Sequence, residues 1–171
     1  SYEPPTFDEL VGTEVTTNIN TSPKRLYAIA LDKQTATTLE LGSKGRTTRF
    51  SWNVAAYRSW VHNEILEVKD YVRGIKRTEN YPTTLHQGVE VGLNAVVADN
   101  PWGTNAGKLT LGGVYDFSDF RFSGGKYQGK RLAGIPQHYL NLSAEYEHSC
   151  GLSLAAQVEW KPGETPIDHT N

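Results

Sequence analysis

The sequence predicts an all-β fold: an antiparallel, up-and-down transmembrane β-barrel segment of about six strands. Three observations point there. Apolar and polar side chains alternate at period two through most of the chain, which gives each strand one face in an apolar medium. The connections between these stretches run short, long, short, long, short, the rhythm of an up-and-down barrel and not of a Greek-key sandwich. Aromatic residues stand at both ends of the apolar stripes, with small aliphatic residues between them.

Residues 1–35 open the chain as a loop region, with Pro4-Pro5 and the Thr/Asn/Ser-rich "TTNINTSPKR", assigned to the extracellular side; residues 36–171 carry the strands. The first strand is "TATTLELGS", with Leu39 and Leu41 opposite Thr38 and Glu40. The second, "TRFSWNVAAYRSWVHNEILEV", has Phe50, Trp52, Val54, Ala56, Arg58 and Trp60 on one side. Phe50 to Trp60 suits the about 9–11 residues with which a tilted strand crosses a bilayer, and Arg58 beside Trp60 can snorkel to the interface. The third strand, "LHQGVEVGLNAVVAD", lines up Val89, Val91, Leu93, Ala95 and Val97. The fourth, "GKLTLGGVYDFSDFRF", lines up Leu109, Leu111, Tyr115 and Phe117. The last two form the hairpin "NLSAEYEHSCGLSLAAQVEW", with Leu142, Ala144 and Tyr146, then Leu152, Leu154, Ala156, Val158 and Trp160. Trp60, Phe117 and Trp160 make an upper aromatic girdle, and Phe50, Trp52 and Tyr146 a lower one. The opposite face carries Glu40, Asn53, Glu90, Asn94, Asp116, Asn141, Glu145, Gln157 and Glu159, dotted with Gly88, Gly92 and Gly112, and suits a hydrated lumen. It would equally suit the wet outside of a sandwich.

Composition narrows the function classes. A net charge of −2 and a pI near 6.2 argue against nucleic acid as a partner. Mean hydropathy is −0.51 and no stretch approaches the ~18 apolar residues of a membrane helix, which leaves strand-built spans open. Cys150, the single cysteine, excludes an internal disulfide and a multi-cysteine zinc site. The chain has neither a signal peptide nor a methionine, so any export signal is expected outside it and Ser1 is not expected to be a translational start.

Catalytic and metal motifs fail on inspection. "GGKYQGKR" has the G-x-x-x-x-G-K spacing of a phosphate loop, but Arg131 stands where Ser or Thr would hold magnesium, and a strand follows instead of a helix. "HNE" lacks the P-C-x-x-C half of a deaminase site. His62, His86, His138, His148 and His169 are scattered, and no nucleophile elbow or triad occurs. The expectation is therefore no enzyme, no catalytic residues, no bound metal and no cofactor.

Several stretches resemble TonB-dependent outer-membrane receptors in that family's order. "SYEPPTFDEL" is similar to an extracellular segment that follows an ascending strand. "LDKQTATTLELGSKG" and "FSWNVAAYRSWVHNEIL" are similar to the next two strands, where a Glu-x-Gly strand end precedes a tight periplasmic turn. "HQGVEVGLNA" resembles the strand opening the following hairpin, and "RLAGIPQHYLNLSAEYEH" the Leu-x-x-x-Pro-x-His start of a later strand. The likeness runs from Tyr2 to about Asp168. It implies part of a 22-stranded, plugged barrel in the outer membrane of a Gram-negative cell. It also implies partnership with the TonB complex through a plug domain absent from this chain, contact with outer-membrane lipid, and import of an iron chelate such as a ferric siderophore, with copper, cobalamin or another nutrient open.

On that reading the loops at residues 3–35, 67–82 and 122–135 capture the ligand. Tyr71, Arg73, Arg77, Tyr81, Lys126, Tyr127, Lys130 and Arg131 are the candidates for an anionic chelate, joined by His86 and His138 near the outer strand ends. The competing reading is a soluble β-sandwich module for carbohydrate, with Trp60 or Trp102 as a stacking platform. A sandwich would divide the strands between two packed sheets, whereas a barrel segment is one sheet with its Leu and Val face bare.

Overall fold

The computed structural model describes residues 2–3, 11–14, 25–28, 30–70, 75–100 and 107–169, with side chains described at 30–67, 78–100 and 107–169. Six long antiparallel strands follow one another in sequence: β4 (Gln34–Arg46), β5 (Phe50–Asp70), β6 (Ile75–Asp99), β7 (Gly107–Phe122), β8 (His138–His148) and β9 (Ser153–Trp160). Each pairs with the next, so the order in the sheet is the order in the chain. The segment before them holds three short strands, β1 (Tyr2–Glu3), β2 (Val11–Glu14) and β3 (Arg25–Ala28). β1 pairs with the start of β4, while β2 and β3 form a hairpin that touches the outer part of β6.

All nine strands belong to one sheet, and Leu and Val residues on its apolar face are bare: Leu41 is 80% exposed, Val158 62% and Leu142 49%. No second sheet covers them among the described residues, which rules out the sandwich. The register carries each apolar row from strand to strand. Trp52, Leu93, Gly113, Leu142 and Val158 share one row, and Val54, Val91, Tyr115, Leu140 and Trp160 the next. From the Phe50 row to the Phe117 row this face holds no Asp, Glu, Lys or Arg. The polar residues predicted for the lumen all fall on the other face by the same register, with Glu90 opposite Asp116 and Asn141 opposite Glu159.

Trp160 is level in register with Val54, six residues short of Trp60 on β5 and four strand steps away. Placing both tryptophans at one interface requires a strand tilt of roughly 45°, at the upper end of the range for outer-membrane barrels. At the lower girdle, aromatic rings lie flat on glycines of the neighbouring strand. A Cβ on Gly45 would stand 2.2 Å from the Trp52 ring, and one on Gly107 2.2 Å from Tyr146.

One connection differs from expectation. Residues 67–70 and 75–82, predicted as part of a long loop, continue β5 and β6, and only residues 71–74 connect them. These residues pair in unbroken register, Glu67 with Thr78 and Asp70 with Ile75. They lack apolar alternation because both faces of this ribbon stand beyond the hydrocarbon. Pro82, which brings no N–H to the ladder, faces Asn63. The Asn63 carbonyl accepts a hydrogen bond from Asn80 Nδ2 at 2.8 Å, and Asn80 also holds the Asp32 backbone through its carbonyl oxygen at 2.7 Å and its amide at 2.8 Å.

The buried core lies at the outer end of the sheet, on the polar face. Tyr81, Phe122 and Leu132 form it, with Leu66, Phe120, Tyr127 and Ile135 packed around. Here the apolar side chains change sides. Val61, Thr84 and Phe122 share a row on the face that carries Glu90 and Asp116 lower down, and each is at most 3% exposed. On the outward face near this level, the row Arg58, Gln87 and Asp119 is followed by Trp60, Leu85 and Arg121.

Candidate functional site

The outer end of the polar face is where this chain concentrates buried chemistry. Asn63 adopts a left-handed backbone with φ 54°. A single left-handed residue interrupts strand alternation, and Glu64 accordingly turns toward Thr84 and His86 on the polar face. The Thr84 hydroxyl donates to Glu64 Oε2, and His86 Nε2 lies 3.2 Å from the same oxygen. The His86 ring stacks on Phe120 with centroids 4.2 Å apart and planes 6° from parallel. Glu64 is only 7% exposed, so a buried acid is satisfied here by one hydroxyl and one imidazole.

Above this group the loop 123–137 folds inward over the sheet. Phe122 N–H donates to the Lys130 carbonyl at 3.0 Å, Leu132 N–H to Phe120 at 2.9 Å, and Ser123 N–H to Thr83 at 3.1 Å. These bonds set Leu132 and Ile135 against the core. Gly129, with φ 83°, takes the reversal that a side-chain-bearing residue would resist. Tyr127 stacks on Tyr81 at 5.5 Å, Phe122 meets Tyr81 at 4.8 Å, and Lys126 Nζ sits 4.9 Å above the Tyr127 ring. Burial first, then the neighbouring Tyr127 and Glu79, push the Tyr81 hydroxyl well above the usual phenol range, so it stays protonated.

The segment after β9 closes the group. Gly134 N–H donates to the Pro166 carbonyl at 2.8 Å, and Ala133 N–H to His169 Nδ1 at 3.2 Å. His169 meets the Phe122 ring edge-on at 5.2 Å. Burial lowers its pKa, against the opposing pull of Asp168 and Glu64, and a neutral ring is what an accepting Nδ1 needs.

Of the residues predicted from sequence, Tyr81, Lys126 and Tyr127 come together here, with His86 beneath them. Lys130 is exposed on the same loop. Arg131 bridges to Arg121 and so shares the outward face, away from the cluster. His138 also stands apart. It pairs in register with Phe117 on the outward apolar face, where its Nδ1 lies 2.9 Å from the Tyr115 hydroxyl. Tyr71 and Arg73 lie outside the described residues, as does Trp102, and the Arg77 side chain is likewise undescribed. Sequence reading missed Glu64, Thr84, Phe120, Phe122, Leu132 and His169. "FSDFRF" did carry a signal, because Phe120 and Phe122 fall on the parity opposite to Phe117.

Chemically, the group offers the Tyr127 ring and an exposed Lys126 ammonium above the polar face, with the protonated Tyr81 phenol buried beneath them. No cluster of three or more His, Cys, Asp or Glu able to hold a metal occurs among the described residues. No curated protein matches the chain. A family model described as TonB dependent receptor-like, beta-barrel, matches residues 1–165.

Proposed function

Because the chain belongs to the TonB-dependent receptor β-barrel family, we propose that it forms part of the ligand-capturing wall of a receptor that imports an iron chelate. Receptors of this family are outer-membrane transporters, bind small nutrients and work with TonB, and this chain supplies six strands of such a barrel. The polar face is then the lumen, and loop 123–137 is extracellular. Capture falls to the outer loops, TonB pulls on a plug domain, and the ligand passes down the lumen past His86 and the polar rows below it.

The observation that carries this reading is the inward fold of loop 123–137. It supports Lys126 and Tyr127 at the outer mouth of the lumen, on a base of Tyr81 and Phe122. An ammonium and a phenol ring suit an anionic, planar chelate. Lys130, on the same loop, belongs to the proposed capture set, and the sequence adds Tyr71, Arg73 and Arg77 to it.

The test is uptake by cells expressing the full-length receptor with Lys126→Gln and Lys130→Gln together. Radiolabelled ferric citrate, a ferric hydroxamate, a ferric catecholate, cobalamin and a copper chelate are supplied separately, with receptor abundance in the outer membrane held equal. Uptake of one ferric chelate should fall about tenfold. Loss confined to cobalamin or copper would replace iron as the cargo, and unchanged uptake of all five would remove this loop from ligand capture.

A further inference from the structure

Transport leaves one cluster of charges unused, on the outward face just beyond the apolar belt. Arg58, Gln87 and Asp119 form the register row that follows Ala56, Val89 and Phe117. One step further out, Arg121 shares a row with Trp60 and Leu85. Arg131 joins through its bridge to Arg121. The hydrogen bonds flanking that bridge, from Phe122 N–H to Lys130 and from Leu132 N–H to Phe120, make it a non-hydrogen-bonded pair. Side chains approach most closely in such pairs, with Cα atoms about 4.5 Å apart. Two like charges directly opposite each other are destabilising without an anion between them.

Among the described residues one carboxylate answers these three arginines. Asp119 Oδ1 takes Arg121 Nε at 2.6 Å, and its other oxygen takes the Gln87 amide at 3.1 Å. Arg131 reaches a backbone carbonyl, that of Glu164, at 3.5 Å, and Arg58 lies 5.3 Å from the centroid of the Trp60 ring. Neither has a carboxylate partner among the described residues. A positive surplus thus stands on the lipid side of the wall, directly above bare Leu and Val residues and beside an interfacial tryptophan.

We propose that Arg58, Arg121 and Arg131 bind the phosphate groups of outer-leaflet lipid. The guanidinium fork matches phosphate in a two-point geometry, and basic residues at a membrane surface hold anionic headgroups. The acyl chains of the same lipid then lie along the apolar rows below, so headgroup and tail are held by one face. This surface is on the opposite side of the sheet from the proposed ligand path and does not depend on the cargo.

The test titrates the purified full-length receptor in detergent with lipid A, the doubly phosphorylated anchor of that leaflet. Fully dephosphorylated lipid A and inorganic phosphate serve as separate probes. Arg121→Gln with Arg131→Gln should weaken lipid A binding about tenfold or more, Arg121→Lys with Arg131→Lys should retain most of it, and the dephosphorylated lipid should bind both forms equally weakly. Barrel integrity is read from the shift in gel mobility on boiling. Should the double glutamine variant fail that check, the single Arg58→Gln and Arg131→Gln variants decide by the same titration. Equal lipid A affinity in wild type and folded variants overturns the proposal. So does displacement of lipid A by millimolar inorganic phosphate, which would mark a site for the free anion.

Discussion

On the inner side of Phe117, β7 turns Leu109, Leu111, Tyr115 and Phe117 outward; on the outer side it turns Phe120 and Phe122 inward and places Arg121 on the outward face, over a buried Asp119. β5 makes the same exchange one residue past Trp60, where Val61 is 3% exposed on the inner face. One backbone alternation therefore serves two solvents. Across the belt hydrocarbon lies outside and water inside, so apolar groups face out. In the cap water lies outside, and loop 123–137 closes the inner side, so apolar groups face in. The crossover marks the edge of the hydrocarbon, and the first charges on the outward face, Arg58 and Asp119, appear there. A charge costs roughly 2–4 kcal/mol at the bilayer midplane and about 0–1 at its margin, enough to fix where that edge falls.

The contrast can be pressed from both sides, in each case in the full-length receptor. Phe122→Ala empties the best-buried ring of the cap and should cost it about 3–5 kcal/mol. Hydrogen exchange should show the loss confined to loop 123–137 and the outer ends of β6 and β7, with the belt strands still protected. In the belt, Val91→Arg should destabilise the barrel by roughly 2–4 kcal/mol in denaturant titrations from liposomes, whereas Asn53→Arg, on the lumen face, should change it little. Equal costs at both positions would deny that the two faces meet different solvents.

Smaller effects probe the groups inside the cap. Glu64→Ala leaves the Thr84 hydroxyl and His86 without their acceptor and should cost about 1–3 kcal/mol. Glu64→Gln keeps an acceptor and should cost less, and the order of the two midpoints checks the assignment. The smallest effect is expected from pH. His169 has a lowered pKa when docked, so an undocked imidazole takes up a proton first. Docking of residues 161–169 should be constant above about pH 6.5 and weaken as pH falls below that value. Protease sensitivity of this segment near pH 5.5 should exceed that at neutral pH, and His169→Asn should abolish the difference.

Much of the fold was legible because hydrocarbon imposes a strict code. β7 begins at Gly107 and ends at Phe122, as its alternation indicates, and the lumen row from Glu40 to Glu159 falls on one face. The outer ribbon was not legible. "KRTENYPT" carries no apolar period, because among its described side chains only Tyr81 enters the core, while pairing with β5 and the Asn80 bonds hold the backbone. The cap was half legible. Tyr81 and Tyr127 could be named as loop aromatics, but their contact depends on Leu132 and Ile135 folding back, and on His169 arriving from another part of the chain. Contacts of that range leave no local periodicity to read.

The exchange of faces is tested most directly by spin-label accessibility along β7. Single cysteines are placed at each position from 109 to 122 in a Cys150→Ser background of the full-length receptor, reconstituted in bilayers. Odd positions up to 117 should be accessible to oxygen from the lipid, and 121 to a water-soluble nickel reagent; 120 and 122 should be shielded from both. An oxygen-accessible odd series that continues unchanged through 121, with 120 and 122 open to the nickel reagent, would contradict the account.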